Sequence, residues 1–206
     1  LPGKSGEKGG KDRLMNKIKV HFEKSSSSSY EIHIGYQIMD RMALILANQG
    51  WARRYFLLTD SRVSSLHGER VLAILRGTGL TVEEIVFPGG EEQKNIHTCT
   101  ELAERMMERG ADRTSALIAL GGGVVGDLTA FLASIYMRGI PHIQVPTTIL
   151  AQVDSSIGGK TGVDLPSAKN LLGTFTQPKA VFIDLAFLET LSPREFTNGL
   201  AEIVKY

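Results

Sequence analysis

Three consecutive glycines, Gly121, Gly122 and Gly123, stand directly behind a wholly apolar run at 116–120, and Val124, Val125, Gly126 and Asp127 follow them. Glycines 121, 123 and 126 satisfy the spacing G-x-G-x-x-G between a strand pattern and a helix pattern. Without side chains at such points the backbone can approach a pyrophosphate, whose charge is stabilised by the amides of the following helix. A tight β–α turn asks for the same residues, so the glycines alone leave both readings open. The acid that usually follows such a loop after ~20 residues is missing, because that position falls near Pro146. Asp60 stands at another strand end instead. There its carboxylate can accept from a ribose hydroxyl or cap the next helix.

Two further segments carry polar chemistry. Gly89, Gly90, Glu91, Glu92, Gln93 and Lys94 form a turn between a strand and a helix. Taken alone it reads as a capped loop, but α/β sheets bind ligands at this end of their strands. The richer segment is 146–162, with Thr147, Thr148, Asp154, Ser155, Ser156, Gly158, Gly159 and Lys160, followed by Lys169 and Asn170. Two lysines and an asparagine near a glycine-rich backbone make a good anion site. Arg138, before Gly139, adds a phosphate contact or simply favours a helix C-terminus. His21, His33, His67, His97 and His142 show no metal-ligand spacing and read as surface or packing histidines. Cys99 is the only cysteine, so neither an intrachain disulfide nor a cysteine metal cage is possible. It reads as structural.

The elements that must position these groups alternate. Helical patterns at 39–48, 66–76, 98–109 and 128–137 are interleaved with strand patterns at 54–60, 82–87, 116–120, 143–145 and 181–185. Such alternation builds a Rossmann-like α/β domain, a parallel sheet with helices on both faces. Two short strands, 17–22 and 30–34, flank the serine run 25–29. Residues 1–14, rich in Gly and Lys, read as a disordered arm; 15–190 as the dinucleotide-binding domain; and 191–206 as the start of a helical domain cut off in mid-helix. The 206 residues carry 23 basic and 22 acidic side chains, interspersed, for a net charge of +1. That balance argues against a nucleic-acid partner held by phosphate neutralisation. No apolar run reaches the ~20 residues that span a bilayer, so a cytoplasmic enzyme is expected.

The wording of several motifs resembles the 3-dehydroquinate synthase family. They are residues 121–127, Arg138-Gly139, 144–148, 152–161, Lys169-Asn170, Gln177-Pro178 and 199–206, in order and at the expected spacing from about Tyr55 onward. The resemblance implies conversion of 3-deoxy-D-arabino-heptulosonate 7-phosphate to 3-dehydroquinate and phosphate, with NAD regenerated in each turnover and a divalent metal, zinc or cobalt, on the substrate. It places Asp60, Gly89 to Lys94, Gly121 to Asp127, Thr147, Thr148, Lys160, Lys169, Phe187, Leu188, Glu189 and Thr190 at cofactor positions. Arg138, Asp154, Lys160, Asn170 and Lys205 fall at substrate positions, with Asp154, Lys160 and Lys205 catalytic, and Glu202 matches a metal ligand. Arg138 is expected to reach the site of a second subunit, which makes a homodimer the expected state. Ala168 and Asp164 depart from the family's usual glycine and asparagine.

The resemblance also implies two histidine ligands beyond the last residue, so little or no synthase activity is expected of this chain alone. Rival readings are cyclases of the 2-epi-5-epi-valiolone or 2-deoxy-scyllo-inosose synthase type, a glycerol-dehydrogenase-like alcohol dehydrogenase, and a non-catalytic nucleotide-binding module.

Overall fold

The computed structural model describes residues 29–205; the expected arm at 1–14 and strand at 17–22 lie outside that range. Six strands form one sheet: β1 (Glu31–Gly35), β2 (Arg54–Asp60), β3 (Val82–Phe87), β4 (Ser115–Gly121), β5 (His142–Pro146) and, last in the chain, β8 (Ala180–Asp184). Their spatial order is β1-β8-β5-β4-β2-β3, and every pairing is parallel. Parallel strands need crossovers, and those from β1 through to β5 are helical. Helix α1 (Met39–Gln49) leads to β2, α4 (Ile96–Glu108) to β4 and α5 (Gly123–Ile135) to β5. Between β2 and β3 runs α2 (Ser61–Val63), a π-helical turn Ser64–Gly68 and α3 (Glu69–Gly77).

The strands are buried on both sides, and the side-chain alternation shows which helices cover each face. On β2, Tyr55 and Leu57 pack in one core with Met42, Leu46, Leu72 and Leu75 of α1 and α3. Phe56 and Leu58 point the other way, against Leu102 and Met106 of α4 and Leu128 of α5. The central strand β4 repeats this, with Ile118 on the first face and Leu117 and Ala119 on the second. No helix among the described residues is long and apolar enough to cross a membrane.

Three elements differ from the sequence expectation. Helix α5 begins at Gly123 and ends at Ile135, so Gly123 and Gly126 lie in its first turn. Glycine has poor helix propensity, which hides this start from a propensity reading. The helix expected from 66 begins at Ser61, because the Asp60 side chain caps it by accepting from the amides of Arg62 and Val63, both at 2.9 Å. The third difference is an antiparallel hairpin, β6 (Lys160–Leu165) with β7 (Ala168–Phe175), which no strand pattern announced. Gly162 faces Gly173 across it. A Cβ on Gly173 would stand 2.5 Å from the Thr161 carbonyl oxygen, so the strands approach more closely than side chains allow. The hairpin lies over α5: Val163 is buried in the α4–α5 core, and Thr174 donates to Ser134 at 2.7 Å. Helix α6 (Pro193–Lys205) closes the described chain.

Candidate functional site

From β2 the chain goes to β3 at one edge, and from β4 it goes to β5 on the other side. Adjacent strands β2 and β4 therefore form the topological switch point, where open α/β sheets bind ligands. Thr59 is in register with Leu120, so Asp60 and the glycine corner lie side by side beyond the strand ends. Gly122 is extended, with φ −76 and ψ −168, and caps α5 without a side-chain acceptor. The first bond of the helix runs from the Gly126 amide to the Gly122 carbonyl at 3.0 Å. The amides of Gly123, Val124 and Val125 thus point out of the first turn, where the helix has no partners for them. Thr147 donates its amide to Gly121 at 2.9 Å and so brings the end of β5 to the corner. A Cβ on Gly122 would lie 3.2 Å from the Thr148 methyl, and one on Gly123 3.3 Å from the Ser155 hydroxyl. A side chain at either point would force these neighbours to give by a few tenths of an ångström.

Over the corner lies a cleft of ≈ 320 Å³, and Asp60, Gly90, Glu91, Gly122, Gly123, Val124, Val125, Thr147, Thr148, Phe187 and Thr190 line it. Half of the residues assigned to cofactor positions are therefore brought together. Others stand behind it. Gly89 lies beside Asp60, Glu92 folds over Gly90, and Gly126 abuts Gln144. Gln93 accepts from the Thr98 hydroxyl at 3.3 Å. Leu188 is half-buried, and the exposed Glu189 accepts from the Tyr36 hydroxyl at 2.5 Å. Arg62, Leu66, His67, Leu191 and Glu195 also line the cleft, and sequence reasoning assigned none of them to it. Two of them, Leu66 and His67, sit in the π-helical turn, which no residue pattern announces.

Across the first turn of α5 lies a second cleft of ≈ 590 Å³, lined by Asp127, Asp154, Lys160, Thr161, Asn170 and Thr174 among others. Its floor is tied to the turn after β3. Lys94, 6% exposed, has Nζ 2.5 Å from Asp127 Oδ2 and donates to Asn170 Oδ1 at 2.6 Å. Burial pushes the Asp127 carboxyl above its ordinary range, and the Lys94 ammonium opposes that. Asn170 has φ +54, a conformation asparagine tolerates better than most residues. Its amide donates to Asp164 Oδ1 at 2.6 Å, and the Asp164 amide donates to the Lys94 carbonyl at 2.7 Å. Lys169 pairs with Glu91 at 2.9 Å on the surface, and that carboxylate raises the pKa of the ammonium. Lys160 is exposed and forms no ion pair among the described residues. The start of α5 contributes to both clefts, Gly123 to Val125 to the first and Asp127 to the second.

Arg138 is not brought to either cleft. It follows the C-terminal end of α5, whose 13 residues span about 20 Å. Met137 and Arg138 both adopt left-handed backbone, with φ 48 and 73. Glu202 and Lys205 lie on α6. A zinc site needs at least three protein ligands, and among the described residues no group of three candidate ligands occurs. These residues alone do not fit a metal. His33 stacks on Phe182 at 4.7 Å, His97 pairs with Glu101 on the surface, and burial lowers His142 to about 4. Cys99 is buried, which pushes its thiol up to about 11, so it is no nucleophile.

Fold and clefts together define a parallel α/β domain with two clefts at its topological switch point. The chain belongs to the 3-dehydroquinate synthase family, whose N-terminal model matches residues 84–198. A 3-dehydroquinate synthase of Symbiobacterium thermophilum is 48% identical over 178 residues, 86% of this chain and 50% of that protein. Among solved structures, 2-deoxy-scyllo-inosose synthase with carbaglucose-6-phosphate, NAD⁺ and Co²⁺ is 34% identical with a TM-score of 0.80, covering 85% of this chain and 47% of that one. The 2-epi-5-epi-valiolone synthase of Streptomyces hygroscopicus with NAD⁺ and Zn²⁺ matches at 34% identity and TM-score 0.80, over 92% of this chain and 51% of that one. The chain spans about half the length of the curated relatives it matches.

Proposed function

We propose that this chain is the NAD- and phosphate-binding part of a cytoplasmic 3-dehydroquinate synthase, which converts 3-deoxy-D-arabino-heptulosonate 7-phosphate to 3-dehydroquinate and phosphate. The observation that carries this reading is the pair of clefts on either side of the first turn of α5, one floored by bare backbone amides and one holding Lys160 and Asn170. The amides of Gly123 to Val125 bind the pyrophosphate, Thr147 and Thr148 flank it, and Asp60 accepts from the ribose. Bound there, NAD would supply a reversible hydride acceptor for a substrate hydroxyl, and the ketone so formed would acidify the neighbouring carbon until the hydride is returned. Lys160 and Asn170 donate to the phosphate of the sugar, and Asp154 lines the same cleft. The buried Lys94–Asp127 pair holds the wall between the two ligands and fixes Asn170. No step is assigned to a metal, because no group of three candidate ligands occurs among the described residues. Arg138, remote from its own clefts, serves a second copy of the chain, in keeping with a homodimer.

Calorimetric titration of the chain with NAD tests the binding step. Heat of binding is expected, with affinity lowered at least tenfold by Gly122→Val, whose branched side chain would press on Thr148. In protein extending over the relatives' full length, phosphate release without net NADH is expected. Steady accumulation of NADH would instead identify an alcohol dehydrogenase, and turnover of a different sugar phosphate would identify one of the other cyclases.

A further inference from the structure

The apolar end of the first cleft carries a histidine that neither the glycine corner nor the lysines explain. His67 lies in the π-helical turn, is 9% exposed and lines the cleft together with Phe187 and Thr190. Its Nε2 stands 2.9 Å from Thr190 Oγ1, and its ring meets Phe187 edge-on with centroids 4.8 Å apart. Thr190 has one hydroxyl proton, which it donates to the Phe187 carbonyl at 3.0 Å. The hydroxyl oxygen must then accept from His67, which sets the Nε2–H tautomer and leaves a lone pair on Nδ1. No protein group among the described residues is bonded to that lone pair.

Asp60 places the ribose next to this turn. A base joined to that ribose therefore meets the wall made by Val63, Leu66, Phe187 and Leu191. We propose that His67 recognises the adenine of the bound dinucleotide, its Nδ1 lone pair accepting from the exocyclic amine; this rests on the nucleotide reading above. Around the ring, Arg70 of α3 opposes protonation and Asp184 at the end of β8 favours it, while Asp60, Arg62 and Glu195 line the same cleft. Burial, with Arg70 second, keeps the imidazole neutral to below its ordinary value. Protonation would turn the acceptor into a donor, so adenine affinity falls as pH drops through that lowered value and is flat above it.

The test titrates the chain with NAD and with nicotinamide hypoxanthine dinucleotide, which has a carbonyl where adenine has its amine. At neutral pH the adenine form is expected to bind roughly three- to tenfold more tightly, the worth of one net hydrogen bond. His67→Phe keeps the ring packing and should lose this preference. His67→Gln keeps an acceptor that does not titrate; it should retain part of the preference and lose the acid limb. Equal binding of both dinucleotides by the unaltered chain overturns the role of His67 alone, as does a preference that survives in His67→Phe. Failure to bind either dinucleotide overturns the nucleotide reading itself.

Discussion

Lys94 and Asp127 are far apart in sequence, and their ammonium and carboxylate meet at 2.5 Å with side chains only 8% and 17% exposed. Two desolvated charges gain little over an apolar pair, but removing one leaves the other uncompensated. Lys94→Met is therefore expected to cost about 3 kcal/mol in urea unfolding, and Lys94→Met with Asp127→Leu to recover most of it. If the double variant is as unstable as the single one, the pair is not what holds this wall. His142 shows the opposite case, a buried base kept neutral. Its folded pKa, about 4, lies below the unfolded 6.5. The folded state then binds fewer protons, so this contribution is complete above 6.5 and is lost as pH falls toward 4. The loss is on the order of 3 kcal/mol. Replacing it by His142→Leu should flatten that acid limb in denaturation midpoints measured from neutrality downward. Neither partnership was legible in the sequence: Lys94 was assigned to a cofactor contact, and His142 to surface or packing alike. Nothing local distinguishes a buried ionisable group from an exposed one.

Among the elements, β2 could be read to its last residue. An apolar run bounded by an arginine and an aspartate admits few alternatives when both faces are covered. Hairpin β6–β7 could not, because its glycines, threonines and asparagine break the alternation that marks a strand, and most of β7 is exposed. Its pairing is set by backbone approach at Gly162 and Gly173 and by anchors on other elements, Lys94 and Ser134. Gly173→Ala is accordingly expected to loosen the hairpin by about 1–3 kcal/mol through its contact with the Thr161 carbonyl. Amide exchange across 160–175 should accelerate while β2 and β4 stay protected. NAD affinity should hold, because the glycine corner does not depend on the hairpin strands. Protection unchanged at 160–175 would show that the close approach is not needed. The π-helical turn was illegible for a similar reason: no residue pattern specifies its extra residue per turn, so His67 was not placed at the cleft.

At the scale of the molecule, the parallel sheet gathers residues from five strand ends into one site, yet it carries Arg138 away from that site on the far end of α5. The left-handed pair Met137-Arg138 holds the arginine outward in a conformation that costs on the order of 1–3 kcal/mol per residue, which points to a use for it outside its own clefts. If that use is a second copy's phosphate, the two lesions Arg138→Ala and Lys160→Ala belong to different sites of one dimer. Each variant alone should lose most phosphate release in protein of the relatives' full length. Mixing them and allowing subunits to exchange creates heterodimers in which one site carries both lesions and the other neither. With random pairing, about a quarter of the unaltered activity should return. An arginine acting within its own chain would give no recovery, since every site would keep one lesion, and a monomer by sedimentation would exclude the exchange altogether.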